Sequence, residues 1–161
     1  MKKNNQPETQ FRKQFRTEAH KRGMIVCPIP DPKGNYKNQE YRPFDFILIT
    51  KHNTFCIEAK VGDNPLLSHQ KGTAEAIEKV NPNSYWIIRK KVIKAGDFYY
   101  VEKYRDGKTE RIICSDDIQD IINYFEMVRA WSKAEWVASD FDAKGLSPLA
   151  RTLFGKAGRQ V

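Results

Sequence analysis

Two apolar runs in this chain carry charged residues where strands buried in a sheet normally carry none. Asp45 lies in the run Phe44 to Thr50, and thirteen residues later Glu58 begins Glu58-Ala59-Lys60 at the end of a second run, Thr54 to Lys60. A charge sunk in a sheet is costly unless a partner or a metal compensates it, so these three positions constrain both fold and purpose. In the second run Phe55, Ile57 and Ala59 alternate with Cys56, Glu58 and Lys60. A period of two therefore puts both charges on one face of a strand. The other acid-x-Lys triplets, Asp31-Pro32-Lys33, Asp106-Gly107-Lys108 and Asp142-Ala143-Lys144, each contain or adjoin Pro or Gly. They read as turns on solvated surface.

A length of 161 residues with 40% hydrophobic and 12% aromatic content suits one folded domain, expected over 1–136, followed by a basic tail over 137–161. No run approaches a membrane span and the N-terminus lacks an apolar signal core, so a soluble cytoplasmic protein is expected. Cys27, Cys56 and Cys114 are odd in number, far apart and set in apolar segments, and His20, His52 and His69 share no ligand spacing. Neither set reads as a zinc site, and the thiols read as reduced core residues. The net charge is +8, and residues 1–42 hold ten Lys or Arg against four acids. Such a balance favours a polyanion such as nucleic acid, and taken alone it suits a ribosomal or membrane-surface protein equally well.

Pro7 near a helix start, Phe11, Phe15 and Ala19 at four-residue steps, and Gly23 as a stop predict a first amphipathic helix. Glu8 falls on its inward face near the N-terminal end, where the helix dipole also favours an acid. Met24 to Ile29 reads as a strand and Pro30 to Pro43 as a long polar loop. Phe44 to Thr50 and Thr54 to Lys60 form a hairpin across Lys51-His52-Asn53, which brings Asp45 and Glu58 near each other. Ser68 is expected to cap a helix to about Val80 with Gln70, Ala74 and Ile77 on one face, and Tyr85 to Arg89 is another strand. Phe98 to Tyr104 and Arg111 to Cys114 flank Arg105-Asp106-Gly107-Lys108 as a further hairpin, whose aromatic residues read mainly as packing groups. Ser115 is then expected to cap a helix whose stripe Ile118, Ile121, Ile122, Phe125 and Val128 is either core or a dimer face.

The order helix, three strands, helix, strand, with Glu8, Arg42-Pro43-Phe44-Asp45, Glu58-Ala59-Lys60 and Gln70 in sequence, resembles the PD-(D/E)xK nuclease superfamily over roughly Glu8 to Lys90. Phe44 stands between Pro and Asp, where the family's short motif has them adjacent. The resemblance implies an α/β fold with a restriction-endonuclease-like α-β-β-β-α-β core, a mixed central sheet flanked by helices, here followed by a C-terminal hairpin and helix. It also implies phosphodiester hydrolysis in DNA. Asp45 and Glu58 become Mg²⁺ ligands with the Ala59 carbonyl and Glu8 as further ligands, and Mn²⁺ is an expected substitute. Lys60 becomes the catalytic lysine, Glu8 an auxiliary acid and Gln70 a supporting polar group.

Size and order look most like the archaeal-type Holliday-junction resolvases, which are small homodimers acting on branched DNA. Arg12, Arg16, Lys33, Tyr36, Lys37 and Arg42 are the expected DNA contacts. The loop Pro30 to Pro43 lacks the Ser often found there in that family, which leaves open a flap, nicking or general nuclease of phage or mobile-element type. A different class, a nucleic-acid-binding protein of the same fold without cleavage, makes the three charges a structural ion cluster. The tail holds Lys144, Arg151, Lys156 and Arg159 with Gly145, Pro148, Gly155 and Gly158, and reads as a basic arm or as plain solubilising sequence.

Overall fold

Helix α1, Pro7–Lys21, starts with proline at its first turn, where the missing N–H is no loss, and turns Phe11, Phe15 and Ala19 inward. Gly23 ends it with φ +76°, a conformation that favours glycine. Gly23 N–H donates to the His20 carbonyl and Met24 N–H to the Ala19 carbonyl, the paired closure that satisfies the last turn of a helix. The computed structural model describes residues 6–30 and 42–128. Lys33, Tyr36 and Lys37, the expected boundary at 136, and the basic tail with Trp131 and Trp136 before it lie outside those residues.

The described residues form an α/β fold with three helices and a six-stranded mixed sheet. After α1 come β1 (Ile25–Pro28), β2 (Phe46–Ile49), β3 (Thr54–Val61), α2 (Ser68–Val80), β4 (Tyr85–Ile93), β5 (Gly96–Arg105), β6 (Lys108–Ser115) and α3 (Ile118–Met127). Strand order follows chain order, and every pair is antiparallel except β3 with β4. That parallel pair requires the α2 crossover. The expected α-β-β-β-α-β order is thus present in the chain.

Two helix caps differ from the sequence expectation. Leu67, not Ser68, is the N-cap of α2; a leucine cannot accept a hydrogen bond, and the Gln70 side-chain oxygen takes the Leu67 N–H at 2.9 Å instead. Asp117, not Ser115, caps α3 by accepting from Gln119 N–H. The Ser115 hydroxyl donates to the Asp120 carboxylate and accepts from Asp117 N–H, so it braces the strand–helix junction. β4 and β5 also extend beyond their apolar segments and meet at a two-residue turn between Ile93 and Gly96. The polar ends of these strands obscured that hairpin. The turn between β5 and β6 is the expected one, with Asp106 and Gly107 both at positive φ as a tight hairpin requires.

The sheet has two unlike faces. Phe46, Leu48, Phe55, Ile57, Ala59, Trp86, Ile88, Val101 and Ile113 pack with α1 and α3 into the main core. Phe125 is its hub, with rings of Phe15, Phe55, Trp86 and Tyr124 around it at centroid distances of 5.3 to 6.3 Å. The apolar stripe of α3 is therefore covered by its own chain, as core. The opposite face, under α2, holds a smaller cluster of Leu66, Ala74, Tyr85, Ile87 and Tyr104. Replacing Phe125 by Ala should destabilise the protein by about 3–5 kcal/mol, the usual cost of an aromatic-sized core cavity. Urea denaturation monitored by Trp fluorescence measures it.

Candidate functional site

Glu58 and Lys60 leave β3 on the α2 face because Phe55, Ile57 and Ala59 claim the other one. Both are nearly inaccessible to solvent, and so is Asp45. Asp45 directly precedes β2, and its backbone extends the ladder: its N–H donates to the Ile57 carbonyl and its carbonyl accepts from Ile29 N–H. The Asp45 side chain then reaches across to β3, where Oδ2 accepts the Ala59 N–H at 2.8 Å. Oδ1 is held by Arg12 of α1 at 2.9 Å and by Arg42. Asp45 thus meets one backbone amide and two guanidinium groups.

Glu58 has softer compensation. Its Oε1 accepts from the Gln70 amide nitrogen at 2.5 Å, and Lys60 Nζ stands 3.6 Å from the same oxygen. The orientation of the Gln70 amide is set by its other end, which accepts from Leu67 N–H. Burial pushes the Glu58 pKa up to about 8, the Asp45 charge adds to the rise and Glu8 contributes slightly, while Lys60 and Arg42 oppose it. A neutral amide does not offset the desolvation of a carboxylate as a bound cation does.

The structure brings Asp45, Glu58, Ala59, Lys60 and Gln70 together, with Arg12 and Arg42 on Asp45. Glu8 stays at the margin, half-buried and 3.5 Å from the Asn64 amide. Arg16 is solvent-exposed on α1 and lines, with Thr9, Arg12, Lys13, Arg42 and Asp45, a cavity of about 160 Å³. Among the described residues no group of three His, Cys, Asp or Glu side chains converges to hold a metal. The donor set is two carboxylates and a backbone peptide, all oxygen chemistry, which suits Mg²⁺ or Mn²⁺, ions commonly held by one or two carboxylates with water and phosphate. It does not suit zinc.

Sequence reasoning missed two residues on this face. Arg89 stands opposite Lys60 in the β3–β4 register, and its guanidinium binds Glu102 at 2.7 Å and the carbonyls of Gly62 and Asn64 at 2.8 Å. Tyr85 lies two residues before Ile87, the partner of Glu58. The signal was available in Tyr85, Ile87 and Arg89, which alternate along β4; what was lacking was the β3–β4 register that sets this alternation beside Glu58 and Lys60. Family models, curated proteins and solved structures were compared with the chain, and none matches it.

Because the folded-state pKa of Glu58 is about 8 against an ordinary 4.5, the native protein holds a proton that the unfolded chain releases between those values. Wild-type stability should therefore fall as pH rises through that window, and Glu58→Gln should lack this component. In EDTA the variant should gain on the wild type by an amount on the order of a few kcal/mol between pH 5 and pH 8.5. Parallel slopes in urea titrations of the two proteins would contradict the assignment.

Proposed function

We propose that this protein is a divalent-metal-dependent DNA endonuclease of the PD-(D/E)xK type, with a restriction-endonuclease-like core. The supporting observation is the convergence of two buried carboxylates from neighbouring strand segments, Asp45 and Glu58, with Lys60 3.6 Å from Glu58 on the same face. A purely structural role gives no reason to crowd two acids together where one must be held protonated around neutral pH. The net charge of +8 supports DNA as substrate.

In this reading Asp45 and Glu58 would hold the ion, with the Ala59 carbonyl as a further ligand and Glu8 at the periphery. Bound there, Mg²⁺ or Mn²⁺ would polarise the phosphate and ease deprotonation of water. Lys60, buried near the end of β3, would orient the attacking water and stabilise negative charge on the phosphate. Gln70 fixes the Glu58 carboxylate through its own bond to Leu67. Arg12 and Arg42 pair with Asp45, and with Arg16 they would offer guanidinium groups to the DNA backbone. Within the type we favour a dimeric Holliday-junction resolvase, on the element order. No helix among the described residues is long and apolar enough to cross a membrane.

The Arg12–Asp45–Arg42 cluster favours a second reading, a nucleic-acid-binding protein whose charges only stabilise the fold. Incubation with labelled four-way junction, flap and linear duplex DNA, in Mg²⁺ or EDTA, separates the two. Paired symmetric nicks confined to the junction, and lost in Asp45→Asn, are the expected result. Cutting of all three substrates would mean a general nuclease, and binding without cutting would favour the second reading.

Lys60→Ala should lower the cleavage rate at least about 100-fold, the usual scale for loss of an acid–base or electrostatic group. DNA affinity, measured by fluorescence anisotropy in Ca²⁺, should stay within about threefold, because backbone neutralisation resides in other cations. An unfolded variant would instead assign Lys60 a structural role.

A further inference from the structure

Among the described residues, the Tyr85 hydroxyl is the buried side-chain atom that meets no hydrogen-bond partner. Its residue is 1% exposed, and an unpaired hydroxyl in such surroundings is destabilising. Phenylalanine would fill the same place without that cost. Other buried polar groups nearby are matched: Arg89 to Glu102, Lys103 to Glu78 and the Tyr85 carbonyl, Gln70 to Glu58 and Leu67.

Position gives the hydroxyl a use. Tyr85 pairs with Cys56 in the β3–β4 register, two residues before the Glu58–Ile87 pair, so its ring is on the face that carries Glu58 and Lys60. It packs with Leu66, Ala74 and Ile87, and Ala74 follows Gln70 by one turn of α2. The Glu78 carboxylate accepts the Tyr85 N–H at 2.9 Å, and Lys103 donates to the Tyr85 carbonyl at 2.8 Å, which fix the backbone from both sides. Burial raises the pKa of the phenol and the charges of Glu58 and Asp45 raise it further, so the group remains an O–H donor.

We propose that the Tyr85 hydroxyl donates a hydrogen bond to an oxygen that enters the Asp45–Glu58 site with a divalent cation, either a hydration water of the ion or a phosphate oxygen of DNA. Tyr85 is then a positioning residue of the site. This role rests on the metal-dependent reading given above.

The test compares wild type, Tyr85→Phe and Tyr104→Phe as full-length chains, Tyr104 being a control from the same apolar cluster. Three readouts are needed: thermal melting in EDTA, calorimetric titration with Mn²⁺ alone, and binding of duplex DNA in Ca²⁺. Tyr85→Phe should melt at or above the wild-type temperature. Its affinity should fall about tenfold for Mn²⁺ if the acceptor is water, or about tenfold for DNA with Mn²⁺ binding intact if it is phosphate. Tyr104→Phe should change neither.

Unchanged affinity for both Mn²⁺ and DNA in Tyr85→Phe, while the wild type binds Mn²⁺, overturns the role of the tyrosine and leaves the metal reading standing. A lower melting temperature with unchanged affinities does the same, by showing a packing role. A wild type that binds no Mn²⁺ overturns both.

Discussion

The desolvation of Glu58 is the constraint around which this face of the protein is organised. β3 is an interior strand whose other face is filled by Phe55, Ile57 and Ala59, so the alternation that builds the main core also forces Glu58 and Lys60 under α2. Neither can be moved to solvent by a local adjustment, because a slip of one residue would turn both charges into the main core and the apolar set under α2. The α2 crossover covers this face, and it supplies one polar side chain, Gln70, where the carboxylate needs a donor. Gln70 also completes the first turn of its helix, so the helix start and the site share one amide.

Asp45 and Glu58 are not equivalent. Asp45 meets the Ala59 N–H and two guanidinium groups, whereas Glu58 meets a neutral amide and an ammonium at 3.6 Å. Their environments differ in formal positive charge, and it is Glu58 whose pKa is driven up to about 8. In the proposed reading, two neighbouring acids held in unlike surroundings would form a site with a proton to exchange for a cation. A fold stabilised by these residues alone would do as well with apolar side chains of similar volume, which is why the arrangement weighs toward chemistry.

Much of this was legible in the sequence. The period of two around Glu58, the four-residue steps of Phe11, Phe15 and Ala19, and the polar Lys51-His52-Asn53 link were enough to place α1, β2, β3 and the Asp45–Glu58 approach. The failures have physical causes. Ser68 and Ser115 looked like caps because serine commonly is one, but Ser68 lies already inside α2, where Gln70 takes the Leu67 N–H, and Ser115 is engaged with Asp117 N–H and Asp120 while Asp117 takes the Gln119 N–H. The polar ends of β4 and β5 hid a hairpin, since cross-strand pairs such as Lys90 with Asp97 can sustain a ladder without an apolar pattern. Tyr85 and Arg89 were missed because their importance arises from β3 and β4 lying parallel, a relation between segments that no local pattern encodes.

The buried and half-buried cations on and around this face are sorted among acids in a way that isolates Lys60. Arg89 is the cross-strand neighbour of Lys60 and would compete for Glu58, but its guanidinium is consumed by Glu102 and by the carbonyls of Gly62 and Asn64. Those two carbonyls follow β3 directly, so the chain end that Lys60 introduces also restrains its rival. Lys103 is bound by Glu78 and the Tyr85 carbonyl and stacks over Trp86 at 4.0 Å, where it reaches neither acid of the site. Arg12 and Arg42 go to Asp45. Glu58 is therefore left with the lysine two residues along its own strand, at a distance longer than a tight ion pair. A short bond would tie the ammonium to the carboxylate; a loose one leaves its donors for an incoming oxygen.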